Sequence, residues 1–187
     1  MDFQLVLAIS GASGSVYGKD IFDRFVTAGV GLHLIVSANA EKILKAEMDM
    51  GIEHFQKPGV TIYKNDDFET VIASGSFPTG GMVIAPCSMG CLARIAYGAS
   101  TSLTSRAADV TLKERRPLIL VVRETPLSTI HLENMLRLSR AGATILPAMP
   151  AFTHRPKSIS DLAAFISGRV LDHLKIPQKF APRYKGK

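Results

Sequence analysis

Five short stretches of this chain carry residues suited to holding an anion or moving a proton. Ser10-Gly11-Ala12-Ser13-Gly14 sets two hydroxyls among glycines that let backbone N–H groups approach a ligand. A helix pattern follows it, and a helix start has unpaired N–H groups and a positive dipole end that favour phosphate. Ser37 closes a second apolar run, and Pro86-Cys87-Ser88-Met89-Gly90-Cys91 closes a third. Arg123-Glu124 pairs a permanent cation with a carboxylate, which suits anion stabilisation beside proton transfer. The last stretch is Pro147 to Arg155, PAMPAFTHR.

The glycine spacing of the first stretch is G-x-x-G-x-x-x-G, from Gly11, Gly14 and Gly18. It is neither the dinucleotide fingerprint G-x-G-x-x-G nor the triphosphate loop G-x-x-x-x-G-K-[ST], which speaks against an NAD-linked dehydrogenase and an ATPase. A phosphate cradle and a well-made turn both satisfy it.

The elements that must position these residues alternate. Apolar runs at Leu5 to Ile9, Leu32 to Val36, Met82 to Ala85, Leu118 to Val122 and Thr144 to Leu146 read as buried strands, with a further strand at Val60 to Tyr63. Helical spacing covers Ser15 to Ala28, Ala40 to Met48, the stretch after Gly90 through Tyr97, Ser105 to Glu114, Ser128 to Arg140 and Ile159 to Leu174. Ser128 is the expected N-cap of its helix, with Leu132, Met135 and Leu136 on the inner face. In the last helix Leu162, Phe165, Ile166, Val170 and Leu174 make one stripe. Continuous apolar strands alternating with helices predict a doubly wound α/β fold, a parallel sheet covered on both faces in three layers. Ligands of such sheets sit outside the carboxyl ends of the strands, which is where the five stretches fall.

The 187 residues predict one domain, 1–187, with 175–187 a C-terminal tail. No run approaches the ~18 apolar residues of a membrane span, and MDFQLVLAIS lacks the features of a signal peptide. Cys87 and Cys91, four apart, suit a reducing cytoplasm and buried packing. His33, His54, His131, His154 and His173 have no metal-ligand spacing. The net charge of +6 comes without a basic stripe interleaved with aromatics, so a small anion is expected rather than nucleic acid.

ISGASG (Ile9 to Gly14), SRAADVTLKERRPLILVVRETPLS (Ser105 to Ser128) and PAMPAFTHRP (Pro147 to Pro156) resemble the flavin prenyltransferase family, the UbiX type, and the likeness runs over nearly the whole chain. The resemblance implies a Rossmann-like (flavodoxin-like) fold that binds FMN without a metal. It implies transfer of a dimethylallyl group from dimethylallyl phosphate to N5 and C6 of reduced FMN. The prenylated FMN would serve a UbiD-type decarboxylase, as in ubiquinone biosynthesis, and the oligomer would be a dodecamer with sites between subunits. By the same resemblance Gly11, Ala12, Ser13, Ser37, Ser88, Met89, Gly90, Cys91 and Arg123 contact FMN. Arg106, Lys113, Thr153 and Arg169 hold the prenyl donor, and Glu47, Glu124, Lys113 and Ser13 form the catalytic set. Phe152, Phe180 and Tyr184 are expected in subunit contacts.

Three positions depart from the family's pattern. A/G-F-Y-H reads Ala151-Phe152-Thr153-His154, with a shorter hydroxyl. S-K-A-A reads Ser37-Ala38-Asn39-Ala40, without the lysine, and Cys91 replaces a Thr or Ser. Two other readings stand beside the main one, an FMN-dependent cysteine decarboxylase and a noncatalytic FMN-binding accessory subunit of a decarboxylase.

Overall fold

The computed structural model describes residues 4–181 and 183. Six strands run β1 (Gln4–Ile9), β2 (Gly31–Val36), β3 (Val60–Lys64), β4 (Met82–Cys87), β5 (Leu118–Val122) and β6 (Thr144–Ile145). The helices are α1 (Ser15–Thr27), α2 (Ala38–Met48), α3 (Met89–Ala96), α4 (Leu103–Lys113), α5 (Thr129–Arg140) and α6 (Ile159–His173). All strand pairs are parallel, in the order β3-β2-β1-β4-β5-β6. This is the doubly wound α/β arrangement, and its switch point lies between β1 and β4.

Alternation along β1 sends Leu5, Leu7 and Ile9 into one core with Phe22 and Phe25 of α1, Leu44 of α2 and Ile166 and Val170 of α6. Val6 and Ala8 enter the other core with Leu92 of α3, Ala107 of α4 and Leu138 of α5. Both faces of the sheet are thus covered, which is why the strands read as unbroken apolar runs. Glycine at position 18 lets α1 lie close on the sheet, because a Cβ there would stand 2.3 Å from the Ala85 carbonyl oxygen. Among the described residues no helix is long and apolar enough to cross a membrane, and no cluster of His, Cys, Asp and Glu could hold a metal ion.

The α5 reading needs correcting. Ser128 does cap the helix, accepting from His131 N–H while His131 Nδ1 accepts from Ser128 N–H. The residues it buries, however, are Asn134 and Leu138. Leu132 and Leu136 are 52% and 51% exposed, beside Ile130 at 66%. Apolar residues on both sides of this helix let the period fit either face, and the sheet takes the one bearing Leu138. In α6, Ile166 and Val170 are buried as expected, while Leu162 and Phe165 are half-buried at the edge of the stripe. Phe180 is half-buried under the Arg24 guanidinium, 3.9 Å from its centroid, Phe152 is exposed, and Tyr184 lies outside the described residues.

Candidate functional site

Ser10 ties the switch point together. Its hydroxyl donates to the Pro86 carbonyl at 2.7 Å and accepts from Ser88 N–H at 2.8 Å, joining the ends of β1 and β4. Three helix starts meet around this knot, each capped by a serine. Ser37 accepts from Ala40 N–H, Ser88 from Cys91 N–H and Ser102 from Ser105 N–H. Asn65, just after β3, takes the first donors of α4, accepting from Leu103 N–H at its carbonyl and from Thr104 N–H and Oγ1 at its side chain. The first donors of α2 and α3, the N–H groups of Ala38, Asn39, Met89 and Gly90, have no acceptor among the described residues. Ala38, Asn39 and Gly90 border a cavity of about 400 Å³ that is also lined by Ser10, Gly11, Ser37, Ser88, Cys91 and Arg94, among others. Open N–H groups at two dipole ends in a hydroxyl-rich cavity fit a phosphate, and the volume suits a cofactor-sized ligand.

Gly11 allows the first loop to meet α2, since a Cβ on it would lie 2.6 Å from the Asn39 Cβ. Gly14 caps α1 in the left-handed region at φ 97°. The start of α1 is not open to a phosphate. Glu47, from the end of α2, accepts there from Gly14 N–H at 3.0 Å and Ser15 N–H at 2.8 Å. Partial burial pushes the Glu47 carboxyl up, but bonds from the Ser13 hydroxyl, the Ser15 and Gly14 N–H groups and the Ser15 hydroxyl outweigh it and hold the carboxyl below its ordinary value. Helix α1 therefore carries its own anion, and the open dipole ends are those of α2 and α3.

On the opposite side of the loop, Arg123 Nε donates to the Ser13 carbonyl at 2.8 Å. The loop Ser13-Gly14 is thus held between the Glu47 carboxylate and the Arg123 guanidinium. Glu124 follows on the same strand end, its Oε1 accepting from Thr125 N–H at 3.1 Å. Ala12 and Met89 are buried beneath the site, and Ser13 is exposed at its rim. Cys87 and Cys91 are both buried free thiols. A hydrogen bond from Cys87 and the Arg94 charge draw the Cys91 thiol down against the burial that opposes them, while the same bond, burial and the Cys91 charge push the Cys87 thiol up.

Three of the expected donor-binding residues are not brought here within one chain. Lys113 ends α4, with its Cε beside Gly75 and its ammonium 3.8 Å from Glu114, at the edge where the strands begin. Arg169 lies late in α6, exposed and 3.3 Å from Asp172, toward the same edge. Arg106 donates to the Ala73 carbonyl at 3.1 Å and pairs with Asp109. Thr153 is on the exposed segment between β6 and α6, at the carboxyl edge. A larger cavity of about 550 Å³ opens at the amino edge among Gly80, Pro117, Leu174 and Ile176. Its lining is mostly apolar and includes none of the expected site residues, so volume alone does not locate the chemistry.

Sequence reasoning passes over Asn65, Arg94, Ser102 and Thr104, all of which line the smaller cavity. They sit past the strand ends, on a second helical turn or the entry to α4. No local motif marks them; the signal available is the S-x-x-S cap of Ser102 and Ser105.

The chain matches the protein family described as Flavoprotein over residues 1–171. It is 48% identical over 183 residues to the flavin prenyltransferase UbiX of Methanothermobacter thermautotrophicus, covering 98% of this chain and 96% of that one. Among solved structures, AnUbiX (PadA1) in complex with FMN and dimethylallyl pyrophosphate superposes with a TM-score of 0.96 at 40% identity, covering all of both chains. A dodecameric FMN-dependent UbiX-like decarboxylase from Escherichia coli O157:H7 superposes at 0.94 and 39% identity, covering 98% of this chain and 100% of that one.

Proposed function

The chain belongs to the UbiX-type flavin prenyltransferases of the flavoprotein family, and from that premise we propose that it attaches a dimethylallyl group from dimethylallyl phosphate to N5 and C6 of reduced FMN. The observation that carries the reading is the pairing of full-length similarity to a structure holding FMN and dimethylallyl pyrophosphate with a cavity here whose open N–H groups suit a phosphate. FMN is the acceptor substrate, its phosphate against Ala38, Asn39, Met89 and Gly90. Gly11, Ala12, Ser13 and Arg123, at the loop clamped by Glu47, would hold its ring. Reduced FMN supplies the nucleophilic positions when bound.

The chain's part is to hold charges and move a proton. Carbon–oxygen cleavage in the donor leaves an anion that cations must stabilise. Arg123 stands at the loop, Thr153 would add its hydroxyl from the segment between β6 and α6, and Lys113 and Arg169 would complete that set from neighbouring subunits. Bonding at C6 requires a ring proton to leave, and the Glu124 carboxylate would accept it. Glu47 keeps Ser13 fixed and remains an anion across the neutral range.

The assembly is a homo-oligomer, and the dodecamer of the Escherichia coli neighbour is the expected size. The product would pass to a UbiD-type decarboxylase in the cytoplasm. The cysteine-decarboxylase reading has less support, because identities of 40–48% over nearly the whole length are to UbiX proteins. Anaerobic incubation with reduced FMN and either dimethylallyl phosphate or the pyrophosphate, followed by mass spectrometry of the extracted flavin, tests the proposal. Flavin carrying one added five-carbon unit supports it. Unchanged flavin with both donors, on protein that binds FMN normally, favours the accessory-subunit reading.

A further inference from the structure

The cavity between β1 and β4 is rich in donors but poor in formal charge. Its lining holds Ser10, Ser37, Ser88, Ser102 and Thr104 as hydroxyls and Asn39 and Asn65 as amides. The residues offering open N–H groups, Ala38, Asn39, Met89 and Gly90, are all uncharged. A phosphate monoester at neutral pH carries a charge of about −1.5 to −2. Helix ends supply only about half a unit of partial charge each.

One cation meets this need. Arg94, on the second turn of α3, lines the same cavity. Its side chain makes no hydrogen bond or ion pair with any described residue, whereas Arg106, Arg116 and Arg123 are each engaged by carbonyls. Gly90 sits one turn earlier, and a Cβ built there would lie 3.8 Å from Arg94 Nη1. The guanidinium therefore leans back over the bare Gly90 backbone toward the start of α3, where Gly90 N–H is open. Residues i and i+4 on a helix share a face, so this approach is direct. The field of Arg94 also reaches the cavity wall, where it helps lower the Cys91 thiol after the stronger pull of the Cys87 hydrogen bond.

We infer that Arg94 is the residue that neutralises the flavin phosphate, and that it makes the site select phosphorylated flavin over riboflavin. The inference rests on the flavin reading and adds to it a specific cation that neither the glycine-serine loop nor the RETP block contains. Arg94 bonds the phosphate oxygens from the cavity mouth, while Ala38, Asn39, Met89 and Gly90 N–H groups bond them from within. Guanidinium–phosphate bonding is charge-assisted and directional, so its loss should fall on the phosphate alone.

Flavin titrations separate the outcomes. Quenching of flavin fluorescence gives Kd for FMN and for riboflavin with the wild type, Arg94→Ala and Arg94→Lys. Arg94 is exposed on its helix, so the substitutions leave the core intact, and circular dichroism checks folding. Arg94→Ala should raise the FMN Kd by about 10- to 100-fold, as expected for a lost hydrogen bond to a charged group. The riboflavin Kd should move less than about twofold, and Arg94→Lys should recover part of the FMN affinity. An FMN Kd within about twofold of wild type in Arg94→Ala overturns the assignment, as does equal weakening of both flavins. A wild type that binds riboflavin as tightly as FMN overturns the phosphate site but leaves flavin use standing. A wild type that binds neither overturns the flavin reading itself.

Discussion

Glu47 shows how one side chain changes the meaning of a motif. The start of α1 has the small residues and the dipole of a phosphate site, yet the Glu47 carboxylate takes its Gly14 and Ser15 N–H groups. The carboxyl is held below its ordinary value of 4.5, so the folded state binds its proton less readily than the unfolded chain does. Its contribution to stability is therefore complete above about pH 4.5 and is lost as pH falls through the lower folded value. Glu47→Gln should unfold at a lower temperature than wild type at pH 7, and the gap should narrow as pH falls below the ordinary carboxyl value of 4.5. Thermal melts of both proteins across that range test this; a gap independent of pH would mean the charge is not what stabilises the loop. Thr153 gives a second test at this scale. It is exposed on its segment and has a shorter reach than the family's tyrosine. Thr153→Tyr should lower the KM for dimethylallyl phosphate by about tenfold, the lower end of a restored bond to a charged group. An unchanged KM removes Thr153 from the donor site.

At the scale of elements, the approach of α1 to β4 depends on Gly18. Alanine there gains about 1 kcal/mol of helix propensity. Its Cβ, however, would meet the Ala85 carbonyl oxygen at 2.3 Å, and a backbone oxygen in a central strand cannot swing aside. Overpacking of this kind costs about 1–3 kcal/mol, so Gly18→Ala should be net destabilising by up to about 2 kcal/mol in urea unfolding. It should also weaken FMN binding, because α1 carries the first loop. A variant as stable as wild type would show that α1 can shift without cost. The same elements explain what the sequence made legible. Strand ends were readable because the apolar runs stop abruptly at Ser10, Ser37 and Arg123, and a parallel sheet puts those stops on one edge; β4 runs through Pro86 to Cys87, past the expected end at Ala85. The inner face of α5 was not readable, because Leu132 and Leu136 share a stripe with Leu138's neighbours and only the sheet decides between them. Nor was the pairing of Glu47 with Gly14, which joins residues 33 apart in the chain. Arg94 carries no motif of its own and acquires a role only when Asn65 and Ser102 close the cavity beside it.

The whole molecule poses a division that one chain does not resolve. Arg123, Glu124 and Thr153 stand at the carboxyl edge of the sheet, while Lys113 and Arg169 stand toward the amino edge. If all five serve one donor site, the amino edge of one subunit must meet the carboxyl edge of another. Such a head-to-tail contact builds a ring where its rotation closes. The chain offers exposed apolar surface for it at Met149 and Phe152 after β6 and at Ile130, Leu132 and Leu136 along α5. The arrangement predicts complementation between two inactive variants. Lys113→Ala and Arg123→Ala should each abolish or sharply reduce prenylated flavin formation alone. Co-expressed at equal levels, they would assemble mixed rings in which a site draws Arg123 from one chain and Lys113 from the next. In a random ring about a quarter of the sites then hold both intact residues, and activity should return to about that fraction of wild type. A double variant, Lys113→Ala with Arg123→Ala on one chain, co-expressed with either single variant, leaves no intact site and serves as the control. Were Lys113 and Arg123 to act within the same chain, no mixture of the single variants would recover activity. Recovery to about a quarter, absent from the control, would place the two edges of the sheet in one active site.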